Sequence, residues 1–203
     1  MKTLRTAFQM LLLLTAITGV VYPLLVTGLA QLLFPAQANG SLLYRNGKPV
    51  ASLLLAQDMT QNMSQNLSQN LKKSGYFWPR PSAGNFDAMA SGGSNYGQTS
   101  PALMQQWQER VQYWQQASGN TKLVPAELIQ ASASGLDPHI SVAAAYYQLN
   151  RVAQSRGWPE KRVAAMIEQQ IDRSTWFAAA APMINVMSLN LSLDQQDMSH
   201  ASR

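Results

Sequence analysis

Ser132, Ser134, Asp137 and His139 stand close together in the segment ASASGLDPH and include the side chains that a serine hydrolase uses. Such an enzyme needs a serine, a base that a third group orients, and donors for the oxyanion. The segment lacks the GxSxG elbow that exposes a nucleophile on a sharp turn. We therefore assign no catalytic residue and expect a capped turn or a helix-packing role, with an envelope hydrolase as the alternative.

The sequence SGGSN at 91–95 offers a second kind of chemistry. Successive backbone N–H groups in such a loop can form a concavity that binds a phosphate or another anion. The phosphate-binding pattern GxxxxGK[ST] occurs nowhere in the chain. An ordinary turn is therefore the competing interpretation of this loop.

Arg80 stands between two prolines and follows the aromatic run Tyr76, Phe77 and Trp78. Prolines lower the ordering cost of a binding loop, and Trp, Tyr and Arg dominate the hot spots of protein interfaces. We predict that these four residues bind a partner protein. Burial of the aromatic side chains within their own domain is the alternative.

The composition excludes several classes of site. The chain has no cysteine, so thiol chemistry and disulfides are ruled out. Its two histidines and ten acidic residues show no spacing suited to a metal site or to paired acid–base catalysis. Its 15 basic residues are scattered, whereas a nucleic-acid surface needs a basic patch. We predict no metal, no directly bound cofactor and no nucleic-acid partner.

The elements that must position these residues begin with an apolar segment. No charged residue lies between Arg5 and Arg45. The run from Ala7 to Leu33 is longer than the roughly 20 residues that cross a bilayer as a helix. Because Lys2 and Arg5 precede this run, the positive-inside rule places residues 1–6 in the cytoplasm and the following chain across the membrane.

A cleaved secretory signal is the alternative, since Ala36-Gln37-Ala38 has the small-x-small pattern of a cleavage site. The apolar region of a signal has roughly 7–15 residues, which is shorter than this run, so we expect an uncleaved anchor at 7–33. Thr15 and Gly19 form a small-residue stripe on it, and such a stripe lets another helix approach closely. We predict that both residues contact a partner helix.

The remaining residues, 34–203, are enough for one domain with a core. We predict a single N-terminal transmembrane helix followed by an extracytoplasmic α+β domain, mainly helical, with a small β-hairpin or sheet. The stretch 61–73, rich in Gln and Asn, is predicted to be a low-complexity insertion. The other expected elements are a hairpin around Asn46-Gly47, helices that follow Ser100, Ser141 and Pro159 (the last through about Asp172), and a strand at 183–186 before a final helix. For residues 187–194 a strand is the alternative, because Leu189, Leu191 and Leu193 alternate.

The ordered set of loops and helices resembles one known family. Its parts are GVVYPL, FPAQANGSL, GYF-x-x-RPSA, ASGGSN, VPAELIQASASGLD, NRVAQSRG and INVMSLNLSLD, which together cover nearly the whole chain. This order is similar to that of the KdpC family, the C subunits of the bacterial high-affinity potassium-transporting Kdp P-type ATPase.

The resemblance implies an accessory subunit in the bacterial inner membrane. Its partners would be a channel-like subunit that carries potassium and a P-type ATPase subunit that hydrolyses ATP. The family is also described as raising the ATP affinity of the ATPase subunit, which links Ser132, Ser134, Gly135 and Asp137 to the nucleotide. Because the topology places these residues outside the cytoplasm, we expect any such effect to be indirect. A stand-alone envelope binding protein is a further alternative.

Overall fold

The structure is a computed structural model and describes residues 2–45, 47–58, 75–119, 121–172 and 181–201. Contacts within the chain divide it into two compact units, Met1–Leu42 and Leu43–Arg203. The predicted insertion at 61–73 and the turn residue Asn46 lie outside the described residues.

The first unit is helical from its beginning. Its elements are α1 (Lys2–Ala16), a π-helical turn (Ile17–Val21), α2 (Tyr22–Leu33) and the short α3 (Pro35–Ala38). The continuous helix Lys2–Leu33 is long and apolar enough to cross a membrane, and none of its residues is buried. The helix begins at Lys2, so it includes most of the segment predicted to be the cytoplasmic N-terminus.

The π-helical turn ends two residues before Pro23. Proline has no N–H, and its ring collides with the carbonyl group four residues earlier in a regular α-helix. The Tyr22 N–H donates to the Ile17 carbonyl, five residues back, so the helix is wider at this point. A single π-turn of this kind lets the helix continue past the proline.

The rest of the chain is mainly helical with two small sheets, as the sequence predicts. Its elements are β1 (Leu42–Arg45), β2 (Lys48–Ser52), a 3₁₀ turn (Ala88–Ala90), α4 (Pro101–Ser118), α5 (Ala126–Ile129), β3 (His139–Ser141), α6 (Val142–Arg156), α7 (Glu160–Gln169), β4 (Ile171–Asp172), β5 (Met183–Asn185) and α8 (Val186–Ala201). Strands β1 and β2 pair as the predicted hairpin, and Gly47 between them has a φ of +75°.

The second sheet has three antiparallel strands with β5 in the centre, in the order β3-β5-β4. Ile184 of β5 lies opposite Ile140 on one side and Ile171 on the other. The Ile140 and Ile184 side chains are fully buried. They join apolar residues of α6, α7 and α8 in a single core.

The helix boundaries follow local signals in the sequence. The Ser141 Oγ accepts from the Ala144 N–H at 3.2 Å and caps α6, and Gly157, at φ +64°, ends it. The predicted start of this helix after Ser141 is confirmed. The predicted extent of α7 to Asp172 is wrong, because Ile171 and Asp172 instead pair with β5.

Candidate functional site

Three of the sequence motifs lie against one another in the domain. The Ser132 N–H donates to the Pro81 carbonyl at 3.0 Å, which joins the ASASGLD loop to the RPSA loop. The Gly92 N–H donates to the Ser134 carbonyl at 2.9 Å, which joins the SGGSN loop to the same segment. The three motifs therefore form one unit, a relation that their separation along the chain does not reveal.

Glycines permit this close packing. Gly135 has a φ of +69°, and a Cβ atom there would lie 2.9 Å from the Gly92 carbonyl oxygen and 3.1 Å from the Ser82 Oγ. A Cβ atom at Gly93 would lie 3.2 Å from the Ala133 carbonyl oxygen. The backbone approach explains both glycines without a ligand.

The polar residues of ASASGLD mostly serve the turn itself. The Ser134 Oγ accepts from the Leu136 N–H at 3.1 Å, and the Asp137 Oδ1 accepts from the His139 N–H at 3.0 Å. In the described part of the chain, no hydrogen bond joins His139 to Ser132 or Ser134. The geometry matches the expected capped turn, since a nucleophile needs a base within hydrogen-bond reach.

A groove with a volume of about 570 Å3, here called the Arg80 groove, opens beside these loops. Arg80 Nη1 lies 3.6 Å from Asp137 Oδ2, and His139 Nδ1 lies 3.6 Å from Asp137 Oδ1. All three side chains are partly exposed, at 28% for Arg80, 30% for Asp137 and 45% for His139. The described residues that line the groove are Leu54, Leu55, Arg80, Ser91, Ser132, Ala133, Ser134, Leu136, Asp137, Pro138 and His139.

Two enclosed polar atoms of the groove lack hydrogen-bond partners. They are the Ser132 Oγ and the Arg80 Nε. Ser132 is only 2% exposed, so solvent water has little access to form a hydrogen bond with its hydroxyl group. The groove thus carries hydrogen-bonding capacity that its own chain leaves unused.

The aromatic run that precedes Arg80 belongs largely to the core. Tyr76 and Phe77 are fully buried, so the prediction that they contact a partner is corrected: their side chains are covered by their own domain. Trp78 is partly buried, and its ring centroid lies 6.2 Å from that of Tyr113. Only Trp78 and Arg80 of the predicted set keep exposed surface.

Side-chain amides from two helices bind the backbone of this aromatic segment, residues 75–78. The Asn190 side chain accepts from the Phe77 N–H and donates to the Phe77 carbonyl, both at 2.8 Å. The Gln148 side chain does the same for Trp78, at 2.8 Å and 3.0 Å. Each amide binds the N–H and the carbonyl group of one residue, which a neighbouring β-strand would otherwise bind. The two amides thereby hold the segment that leads to Arg80.

Two arginines complete this support. Arg151 donates to the Tyr76 carbonyl at 2.8 Å, and burial lowers the pKa of Arg151 to about 10. Arg156 donates to the Gly75 carbonyl at 2.5 Å and contacts Asp194 and Asp197. Sequence reasoning missed these supporting residues; the available signal was the presence of polar residues on otherwise apolar helical faces.

A second cavity, of about 400 Å3, is also lined by part of the SGGSN loop. Gly93, Ser94 and Arg110 are among its lining residues. Arg110 donates to the Ile129 carbonyl at 2.7 Å, and burial lowers its pKa. The cavity is polar, but Arg110 already donates a hydrogen bond to the carbonyl group of the last residue of α5.

The two residues of the predicted stripe lie next to each other on the apolar helix Lys2–Leu33. A Cβ atom added at Gly19 would lie 4.0 Å from the Thr15 Cγ2, so the two residues share one face. Contact of this face with a partner helix stays a prediction. Among the residues that the structure describes, no group of three His, Asp or Glu side chains is placed to hold a metal ion.

Comparison with known proteins identifies the family. Residues 4–195 match the family model described as KdpC, the K+-transporting ATPase c chain. The chain is 48% identical over 200 residues to the potassium-transporting ATPase KdpC subunit of Methylibium petroleiphilum, covering 96% of this chain and 98% of the relative. It is 44% identical over 199 residues to the same subunit of Pectobacterium atrosepticum, covering 97% and 98%. The chain therefore belongs to the KdpC family of K+-transporting ATPase subunits.

Proposed function

We propose that this chain is a non-catalytic accessory subunit that stabilises an ATP-driven potassium uptake complex. The observation that carries the proposal is the match of residues 4–195 to the K+-transporting ATPase c chain. The 32-residue apolar helix gives such a subunit its membrane anchor. The supporting role of Ser134 and Asp137 in their own turn agrees with a subunit whose chemistry is performed elsewhere.

The partners in this proposal are a channel-like potassium-translocating subunit and a P-type ATPase subunit, together with the lipid bilayer. Two surfaces are available to them. Thr15 and Gly19 offer a face for a transmembrane helix, and Trp78 with Arg80 offers a contact on the domain.

The proposed topology places the chain in the bacterial inner membrane with its N-terminus in the cytoplasm and the domain in the periplasm. Lys2 and Arg5, which precede the charge-free run Ala7–Leu33, support this direction. ATP is cytoplasmic, so a domain on the other side acts on ATP affinity only through a coupling free energy between sites. Ser132, Ser134, Gly135 and Asp137 then influence ATP through assembly and not through contact.

Assembly is the direct test. The full-length chain is co-expressed with the two other subunits, and a tag on the ATPase subunit is used for purification. We expect the chain to co-purify, and its omission to reduce both the yield of the complex and its potassium-stimulated ATP hydrolysis. Equal yield and activity without the chain would refute the accessory role.

A second measurement separates the proposal from the hydrolase alternative. The full-length chain is treated with a fluorophosphonate probe, which reacts with activated serines. We expect no labelling above that of the Ser132→Ala/Ser134→Ala double variant. Labelling that disappears in the double variant would establish a nucleophilic serine.

A further inference from the structure

The Arg80 groove presents more hydrogen-bond donors than its own chain uses. A guanidinium group has five N–H donors in a fixed planar arrangement. Arg80 Nη2 donates to the Ala131 carbonyl at 3.4 Å, Nη1 stands 3.6 Å from Asp137, and Nε has no partner. These contacts are longer than the roughly 2.7–2.9 Å of a well-formed charge-assisted bond. Arg80 is therefore loosely held.

Ser132 adds a second unused donor in the same groove. Its hydroxyl is enclosed and has no partner, although buried polar groups are normally hydrogen-bonded. An unsatisfied buried hydroxyl destabilises the free chain. Ser132 therefore lowers the free energy of unfolding unless a group from outside the chain accepts a hydrogen bond from its hydroxyl.

The hydrogen-bond donors in the groove leave room for one more acceptor. Asp137 is the single carboxylate among the described lining residues, and it faces both Arg80 and His139. One of its oxygens already accepts from the His139 N–H. One carboxylate is thus shared among several donors. A carboxylate from outside the chain would supply acceptors for the donors of Arg80 and Ser132 that are unused.

We propose that the Arg80 groove binds an Asp or Glu side chain of a partner subunit, an inference that rests on the proposed function. The partner carboxylate bonds to the Arg80 guanidinium in the two-pronged geometry that arginine favours. As Arg80 turns toward the partner carboxylate, the Ser132 hydroxyl donates a hydrogen bond to that carboxylate as well. Leu54, which is 58% exposed, and Pro138 cover the apolar part of the incoming side chain.

This arrangement gives Asp137 a distinctive role, because it competes with the partner for Arg80. Asp137→Asn removes the competing charge and keeps the Oδ1 atom that accepts from the His139 N–H. The substitution should therefore strengthen binding. A purely structural Arg80–Asp137 pair predicts the opposite sign, since loss of either charge would then weaken the surface.

The experiment measures the affinity of the full-length chain, in lipid nanodiscs, for the complex of the other two subunits. We expect Arg80→Ala to weaken binding by about 30-fold, the range of an interface hot spot. Arg80→Lys should retain only part of the affinity, because lysine lacks the planar fork. Asp137→Asn should tighten binding by roughly threefold or more, as a surface charge contact permits.

Ser132→Ala provides an independent arm. It should weaken binding by about fivefold, the share of one hydrogen bond, while the melting temperature of the free chain stays equal or rises. Asp87→Asn is the matched control, since Asp87 is exposed outside the groove and accepts from the Met89 N–H at 2.8 Å through an atom that Asn retains. It should bind like the wild type.

The outcomes separate this inference from the proposed function. Weaker binding of Asp137→Asn, or unchanged binding of Arg80→Ala in a chain that still assembles, would overturn the groove as a carboxylate site and leave the accessory role intact. Failure of the wild-type chain to assemble at all would instead refute the proposed function.

Discussion

At Tyr76 a phenol group lies inside the core and donates to the Asp194 carboxylate at 2.7 Å. Burial, and then the hydrogen bond to Asp194, raise the pKa of Tyr76 above its usual value near 10, while the nearby Arg156 opposes them. The folded state therefore keeps the Tyr76 proton at a pH where the unfolded chain loses it. This stabilisation is complete below pH 10 and is lost as the pH rises above it.

Tyr76→Phe tests this linkage, because phenylalanine cannot ionise. Below pH 9 the variant should be less stable than the wild type, since Asp194 loses a donor. Above about pH 10 the difference should shrink by at most about 1.4 kcal/mol per pH unit. Urea unfolding of both chains at several pH values measures this difference.

Comparing the two chains is necessary because Arg151 has the opposite effect. Burial lowers its pKa to about 10, so stability from this group rises with pH above that value, and this contribution is common to both chains. A difference that stays constant from pH 8 to pH 11 would contradict the role given to Tyr76.

Asn190 satisfies both backbone groups of Phe77 in the core. Asn190→Ala leaves a buried N–H and a buried carbonyl without that partner and should lower the free energy of unfolding by about 3 kcal/mol. Asn150→Ala is the control, since the Asn150 side chain donates to Glu160 in a solvent-exposed hydrogen bond and its loss should cost under about 1 kcal/mol. Equal losses in the two variants, measured by urea unfolding, would show that the amide is not essential to the segment.

At the scale of elements, the aromatic segment 75–78 shows why its role is hard to read from sequence. Three aromatic residues before Pro-Arg-Pro suit an exposed binding loop and a buried segment equally well. The segment is buried because the side chains of Gln148 and Asn190 bind its backbone groups. Both residues lie on helices that are distant in the sequence. Sequence patterns record helix faces, but they do not record which loop a buried amide will bind.

The apolar helix Lys2–Leu33 offers a prediction of its own. Gly19→Leu has room in the isolated helix, where the nearest contact of an added Cβ is the Thr15 Cγ2 at 4.0 Å. Leucine also favours helix formation. The variant should therefore insert normally but separate the partner helix, and co-purification with the other subunits should fall.

Gly28→Leu is the matched control for this helix. Gly28 has no heavy atom within 4 Å of an added Cβ, and it lies about half a turn away from Gly19 at 3.6 residues per turn. We expect it to co-purify like the wild type. Equal losses in both variants would point to altered insertion and would contradict a specific contact at Gly19.

Across the whole molecule, sequence reasoning recovered the features with local causes. The hairpin followed from Asn-Gly, the start of α6 from Ser141, and the final strand and helix from the apolar spacing at 183–193. The contact of ASASGLD with RPSA and SGGSN is a long-range relation between loops, with no periodicity to reveal it. The end of α7 was missed for the same reason, because pairing with β5 takes the residues that would continue the helix.

The direction of the chain in the membrane is the prediction on which the indirect role of ATP depends. A reporter that is active only outside the cytoplasm, fused after Arg203, should be active, because Lys2 and Arg5 precede the charge-free run Ala7–Leu33. The same reporter joined to a chain with Lys2→Glu and Arg5→Glu is the control and should lose activity as the orientation signal weakens. Sequencing the N-terminus of the mature chain supplies the second readout, and residues 1–33 should be retained. A mature chain that begins at Asn39 would establish a cleaved signal, and the partner helix contact at Thr15 and Gly19 would fall with the anchor.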